Sequence, residues 1–190
     1  YRKSIYYYNL SLPYLKSQND MEWVATVYNN IALGYRDQGH LDSAIYFLNL
    51  AKDDYEKINH QTGMATYYHN MGLIYDSKGM IEKALENYNR GLMIKESLND
   101  PYAISVGLMT LGNVYLRMGE DSAALSYFQK SLESRKKVND KRGIAESLIF
   151  IARFYKDKKD FENALSYASN SLEISKEISN KKRTVVALNL

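Results

Sequence analysis

The chain has 190 residues, a length that allows one domain or two small ones. Apolar residues make up 45% of it and charged residues 25%, which is the composition of a folded globular protein and not of a disordered one. The absence of cysteine excludes a disulfide scaffold, a thiolate zinc site and a cysteine nucleophile. A net charge of +3 is too small to indicate a nucleic-acid partner.

Several types of residue recur with a spacing of 40 positions. The recurring columns hold small residues, tyrosines, alanines and asparagines, namely Ala32, Gly72, Gly112 and Ala152, then Tyr35, Tyr75, Tyr115 and Tyr155, then Ala44, Ala84, Ala124 and Ala164, then Asn19, Asn59, Asn99 and Asn139. Within each 40-residue unit, apolar residues follow at steps of three and four, which is the spacing of one helix face. Each unit is therefore predicted to be a hairpin of two helices.

In chain order, residues 1–19 are predicted to hold the second helix of a truncated repeat, with a kink or an early end at Pro13. Four full repeats then follow, over 20–59, 60–99, 100–139 and 140–179. Their first helices are predicted at 21–37, 61–77, 101–117 and 141–157, and their second helices at 41–57, 81–97, 121–137 and 161–177. Residues 180–190 are predicted to begin a further repeat, so we expect the chain to be a fragment of a longer array.

Small residues explain how each hairpin closes. Gly72 and Ala84 are expected where the two helices come closest, which lets Tyr88 pack across the gap. Glycines end most first helices in a left-handed conformation, but Lys159 stands at that place in the fourth repeat, at a cost of about 1 kcal/mol. Because one hairpin cannot bury both apolar faces, the copies must stack, which predicts an all-α solenoid.

These residues form a known pattern, N-x-G-x-x-Y-x-x-x-G-x-x-x-x-A-x-x-x-Y/F. The second copy contains it as Asn70, Gly72, Tyr75, Gly79, Ala84 and Tyr88. The chain resembles the tetratricopeptide repeat (TPR) family, in a long-repeat form similar to the repeat domains of bacterial sensor and regulator proteins. The resemblance implies a right-handed superhelix of antiparallel helical hairpins, whose first helices line a peptide-binding groove.

If the first helices line a groove, one stripe on each of them faces it. The candidate groove residues are Asn29, Asn30, Leu33, Arg36, His69, Asn70, Leu73, Met109, Asn113, Leu116, Arg117, Ile149, Phe150, Arg153 and Lys156. Amides dominate the first two repeats, whereas apolar residues with a cationic rim dominate the last two, which fits an acidic, amphipathic peptide. The alternative remains open that Asn30 and Asn70 only bond adjacent helices and that the apolar residues meet a neighbouring repeat.

No signature of catalysis or of metal binding occurs. The chain lacks the phosphate-loop, dinucleotide, zinc-protease and nucleophile-elbow motifs, and His40, His60 and His69 have no metal-ligand spacing. We therefore predict no enzyme activity, no cofactor and no metal. Most of the 18 tyrosines fall on repeat columns and are assigned to the core, and the helical register is expected to bury Tyr68 and to leave Tyr67 near a surface.

The predicted function is a non-catalytic module that binds a protein or peptide. By resemblance, it would be the sensory or regulatory part of a larger bacterial signalling protein, either a sensor histidine kinase or a helix-turn-helix transcription regulator. The alternative is a passive scaffold or chaperone adaptor without a switching role. We expect no specific nucleic-acid binding and no membrane contact, a cytoplasmic location (periplasmic if the parent is a membrane sensor with external repeats), and end-to-end self-association through the cut ends.

Overall fold

The computed structural model describes residues 2–178, and the regular structure within this range is entirely helical. Its helices are α1 (Arg2–Ser17), α2 (Met21–Asp37), α3 (Leu41–Lys57), α4 (Gln61–Ser77), α5 (Ile81–Ser97), α6 (Pro101–Arg117), α7 (Asp121–Lys137), α8 (Lys141–Asp157) and α9 (Phe161–Glu177). From α2 onward, each helix begins and ends at the predicted residue. The predicted all-α repeat fold is confirmed, and the predicted start of a further repeat at 180–190 lies outside the described residues.

The turns between helices share one backbone geometry, which explains the regular spacing. After α2, Gly39 donates its N–H to the carbonyl of Arg36 and His40 donates to that of Tyr35, at 2.8 and 2.9 Å. This Schellman motif requires a left-handed residue. Such residues occur at Gly39, Gly79 and Gly119 with φ of 72–79°, at the four closing asparagines with φ of 52–54°, and at Lys159 with φ of 61°. The predicted left-handed conformation of Lys159 is confirmed.

Pro13 does not end the first helix, so of the two predicted outcomes the early end is wrong and the kink stays a prediction. Helix α1 continues through it to Ser17. The carbonyl that Pro13 cannot bond belongs to Asn9, which is an exposed residue and can be hydrated instead. Beyond the proline, Leu15 packs against the buried core and favours the continued helix.

The chain divides into two compact units, Tyr1–Leu98 and Asn99–Leu190, and each has its own core. In the first unit, α1 packs on α2, α2 pairs with α3, and α4 pairs with α5. In the second unit, α6 pairs with α7, α8 pairs with α9, and α7 packs on α8. Fully buried core residues of the first unit are Ala25, Ile31, Ala32, Ala44, Leu48, Ala51, Ile74 and Ala84. Those of the second are Leu111, Ala124, Phe128, Ala145, Ile151 and Ala152.

The predicted close approach at Gly72 is present. A methyl group built on Gly72 would lie 2.5 Å from the ring of Tyr88, and Ala84 is completely buried. The same arrangement recurs in the third repeat, where a methyl group on Gly112 would lie 2.5 Å from the ring of Phe128. A small residue is therefore required on the first helix because an aromatic ring of the second helix packs directly on its backbone.

Candidate peptide-binding groove

In the first unit, two of the predicted groove residues bond each other across adjacent first helices. The amide Nδ2 of Asn70 on α4 donates a 2.7 Å hydrogen bond to Oδ1 of Asn29 on α2. Asn29 is 6% exposed and Asn70 is 4% exposed. The pair satisfies buried polar groups and ties α2 to α4, so neither amide is presented to solvent. The groove role predicted for these two residues stays a prediction.

The remaining candidates on α2 and α4 are only half-buried, and so they keep accessible surface. They are Asn30, Leu33, Arg36, His69 and Leu73. Arg36 donates to the carboxylate of Asp37 through Nε at 3.0 Å and Nη2 at 2.7 Å. The side chain of Asn30 has no hydrogen-bond partner among the described residues. This surface therefore offers a spare amide beside leucine side chains, which suits the backbone and apolar groups of a peptide.

His69 is neutral in this surface. Burial lowers its pKa to about 4, and the positive charges of Lys95 and Arg36 contribute to the same shift. Its ring lies 5.7 Å, between centroids, from the ring of Tyr88. A neutral imidazole offers one donor and one acceptor, so it can bond a peptide amide without adding charge.

In the second unit, the predicted apolar patch belongs partly to the core. Ile149 is buried at 6% exposure, and Met109 and Leu116 are half-buried against the second core. Phe150 is also half-buried, with its ring centroid 6.3 Å from that of Phe128. Of the four, only the half-buried side chains retain surface for a ligand.

The predicted cationic rim consists of solvent-exposed residues. Arg117 on α6 and Arg153 and Lys156 on α8 are exposed, and Asn113 on α6 is half-buried. Neither Arg153 nor Lys156 forms an ion pair with any residue in the part of the chain that the structure describes. One turn separates Phe150 from Arg153, and a second separates Arg153 from Lys156, so the three form a row that begins apolar and ends cationic.

A second concavity, on the opposite face of α4, was not predicted. It has a volume of about 510 Å³ and is lined by Lys52 and Glu56 of α3, by Tyr67, Tyr68, Met71 and Tyr75 of α4, and by Lys83, Glu86, Asn87 and Arg90 of α5. At 100° per residue, this face of α4 points away from that of His69, Asn70 and Leu73. The sequence carries one signal for it, since position 87 lacks the aromatic ring of Phe47, Tyr127 and Tyr167.

The predicted exposure of two adjacent tyrosines is wrong. Tyr67 is buried at 8% exposure, while Tyr68 is half-buried. The hydroxyl of Tyr67 donates to Oδ1 of Asn49 on α3 at 3.3 Å, so the neighbouring helix covers its ring. Helical periodicity relates residues on one helix, but it does not include this contact from α3.

The described part of the chain lacks two other classes of feature, a metal-binding cluster and a membrane-spanning helix. Among the described residues, no group of three or more histidine, cysteine, aspartate or glutamate side chains could hold a metal ion. No helix within residues 2–178 combines the length and the apolar character needed to cross a membrane.

The sequence profile of the tetratricopeptide repeat matches residues 23–97 and 104–177, which is most of the chain. The chain belongs to the tetratricopeptide repeat family. No curated protein sequence matched it.

Three solved structures illustrate the TPR fold of this chain. BtubC (BKLC) from P. vanneervenii is 20% identical with a TM-score of 0.76, over 94% of this chain and 74% of that one. PH0952 from Pyrococcus horikoshii, a signal transduction ATPase with numerous domains (STAND) protein with a tetratricopeptide repeat sensor, is 26% identical with a TM-score of 0.75, over 88% of this chain and 26% of that one. A Rap protein complexed with Competence and Sporulation Factor is 14% identical with a TM-score of 0.71, over 97% of this chain and 57% of that one.

Proposed function

We propose that this TPR chain is a non-catalytic module that binds a protein or peptide on its first-helix face. The observation that carries the proposal is the row on α8, where the half-buried ring of Phe150 is followed by the exposed cations Arg153 and Lys156. Neither cation is used in an ion pair within residues 2–178. An apolar contact beside unused positive charge favours an acidic, amphipathic ligand.

The second part of the proposal concerns a role in signalling. We infer a sensory or regulatory role in a larger bacterial signalling protein, such as a sensor histidine kinase or a helix-turn-helix transcription regulator. Two structural relatives support this direction, since one is described as a STAND protein with a TPR sensor and another as a Rap protein in complex with Competence and Sporulation Factor. The chain spans 26% and 57% of those two proteins, so their other domains lie outside the likeness.

The ligand class is tested with a fluorescent peptide that forms an amphipathic helix with an acidic face. Reversing both rim charges with Arg153→Glu and Lys156→Glu removes two attractions and adds two repulsions. The expected loss is about 1–2 kcal/mol, or about tenfold weaker binding by fluorescence anisotropy. Lys130→Glu is the matched control, because Lys130 is an exposed cation on the second helix α7.

The outcomes separate the proposal from its alternatives. Weaker binding of the double variant with an unchanged Lys130→Glu control supports the first-helix face. An equal loss in both variants would indicate only nonspecific attraction between opposite charges. Equal affinity of all proteins for the peptide would contradict the assignment of Arg153 and Lys156.

A sensor changes conformation when its ligand binds, whereas a passive scaffold does not. A ligand shifts a conformational equilibrium only if it has different affinities for the two states. Small-angle scattering of the chain with saturating peptide is therefore expected to change if binding alters the curvature of the repeats. An unchanged profile with confirmed binding would favour the passive scaffold or adaptor.

A further inference from the structure

One aromatic contact recurs in three of the four full repeats. A tyrosine near the end of the first helix stacks on a ring from the second helix, with centroids 5.2–5.6 Å apart and planes within 13° of parallel. The pairs are Tyr35 with Phe47, Tyr115 with Tyr127, and Tyr155 with Tyr167. Stacking of this kind stabilises each hairpin beyond the burial of the rings.

The second repeat lacks this stack. Tyr75 occupies the tyrosine position, but the aromatic position holds Asn87. Nδ2 of Asn87 donates to the carbonyl of Lys83 at 2.8 Å, so the amide bonds the backbone of its own helix. Tyr75 therefore has no aromatic partner from α5 on the side where the other three tyrosines have one.

A cavity lies where the missing ring would be. Both Tyr75 and Asn87 line the concavity of about 510 Å³ between α3 and α5, and the buried Met71 forms part of its wall. The walls thus combine three tyrosine rings and an apolar side chain of α4 with charged side chains from α3 and α5.

The charges around the cavity leave one cation without an ion pair among the described residues. Lys52 pairs with Glu56 at 3.1 Å, and Arg90 pairs with Glu86 at 2.8 Å. Lys83 forms no ion pair with any described residue. Its Nζ lies over the ring of Tyr75, 5.6 Å from the centroid, so the ammonium group contacts the ring that has no aromatic partner from α5. The cavity therefore has an excess of one positive charge.

We propose that this cavity binds an aromatic side chain of a partner protein that has a carboxylate side chain next to it. The aromatic ring stacks on Tyr75 in the place that Phe47, Tyr127 and Tyr167 fill in the other repeats. The ammonium group of Lys83 leaves the face of Tyr75 as the ring enters and pairs with the carboxylate. This site is distinct from the first-helix surface, because it lies on the opposite face of α4 and is framed by second helices.

The proposal is tested by titrating isotope-labelled protein with a short peptide that contains one tryptophan followed by one glutamate. Backbone amide shifts in the nuclear magnetic resonance spectrum are expected to saturate around residues 67–90, at Tyr75 and Asn87 above all. A matched peptide with leucine in place of tryptophan is expected to bind at least tenfold more weakly. A peptide with glutamine in place of glutamate is expected to bind several-fold more weakly.

Asn87→Tyr places a ring of the protein itself in the cavity and is the most direct test of the proposal. Restoring the stack is expected to raise the thermal unfolding midpoint and to weaken peptide binding at least tenfold. Lys83→Ala is expected to weaken the glutamate peptide but not the glutamine peptide. Gln129→Tyr, which adds a ring at an exposed position of α7, is the control and is expected to leave binding unchanged.

Three results would overturn the proposal. The first is the absence of saturable shifts near Tyr75, which would mean that Lys83 simply covers the ring in place of an aromatic residue. The second is saturable binding that shifts His69 and Leu73 instead, which would place the peptide on the first-helix face. The third is unchanged peptide affinity in an Asn87→Tyr variant whose unfolding midpoint has risen. Such a variant would be folded, with its new ring in the cavity, and yet would still bind the peptide.

Discussion

The buried amide pair between Asn29 and Asn70 provides the most direct test of how adjacent first helices are held together. We consider Asn29→Ala, Asn70→Ala and the double variant. Each single substitution removes a 2.7 Å hydrogen bond and leaves the other amide buried at 6% or less exposure. The double substitution also removes the bond, but it leaves no unpaired amide.

The magnitudes depend on that difference. A buried polar group without a partner costs about 1–3 kcal/mol. Alanine is a better helix former than asparagine and returns about 0.6 kcal/mol per site. Each single variant is therefore expected to lose about 1–2 kcal/mol of unfolding free energy. Because the second substitution removes the orphaned amide, the double variant is expected to lose about 1–2 kcal/mol less than the sum of the singles.

Urea unfolding followed by far-ultraviolet circular dichroism measures these free energies, provided that the denaturant dependence stays the same across the variants. Asn30→Ala is the matched control, since Asn30 lies next to Asn29, is half-buried and has no hydrogen-bond partner among the described residues. We expect that control to keep or slightly raise stability. If the losses of the single variants add up in the double variant, the two amides are not coupled and the reasoning is refuted.

Three further predictions concern stability. Lys159→Gly removes the strain of a non-glycine residue in the left-handed region and should raise the unfolding free energy by about 0.5–1 kcal/mol in urea titrations. A lower unfolding free energy would contradict the presence of that strain. His69 has a folded pKa of about 4, below its ordinary 6.5, so the unfolded state binds more protons between these values and stability falls as pH falls. About 2 kcal/mol of unfolding free energy should be lost between pH 7 and pH 5, and His69→Gln should abolish that loss. The same dependence of unfolding free energy on pH in the native protein and the variant would refute the prediction. Asp140→Ala removes both a helix cap and the ion pair of the buried Arg135, and should cost about 2–4 kcal/mol in thermal unfolding. Asp100→Ala removes a cap alone and should cost about 1 kcal/mol, so equal losses would contradict a role for the ion pair.

Much of the candidate first-helix surface could be located from the sequence, but its chemistry could not. The repeat register identified the half-buried positions Asn30, Leu33 and Leu73 and the exposed rim of Arg153 and Lys156. Their role in binding remains a prediction. The sequence left open whether Asn30 and Asn70 contact a ligand or only bond adjacent helices. Nothing in the register shows that Asn70 bonds Asn29 whereas Asn30 bonds neither of them.

The helix boundaries were predictable because their causes are local. A capping aspartate such as Asp100 accepts from a backbone N–H three residues later, and a left-handed Gly119 closes a turn with the residues just before it. These interactions span at most five residues, and the 40-residue register repeats them. The sequence alone therefore sufficed for the all-α repeat fold and for each helix from α2 onward.

Contacts between helices required the three-dimensional structure. Tyr67 is buried because α3 covers it. The side chain of Asn29 is hydrogen-bonded because α4 brings Nδ2 of Asn70 to 2.7 Å from its Oδ1. The cavity beside Tyr75 exists because α5 presents Asn87 there. Each of these outcomes depends on residues 12 to 41 positions apart in the chain. Periodicity describes one helix at a time, whereas burial and pairing depend on the side chains that neighbouring helices bring to the same place.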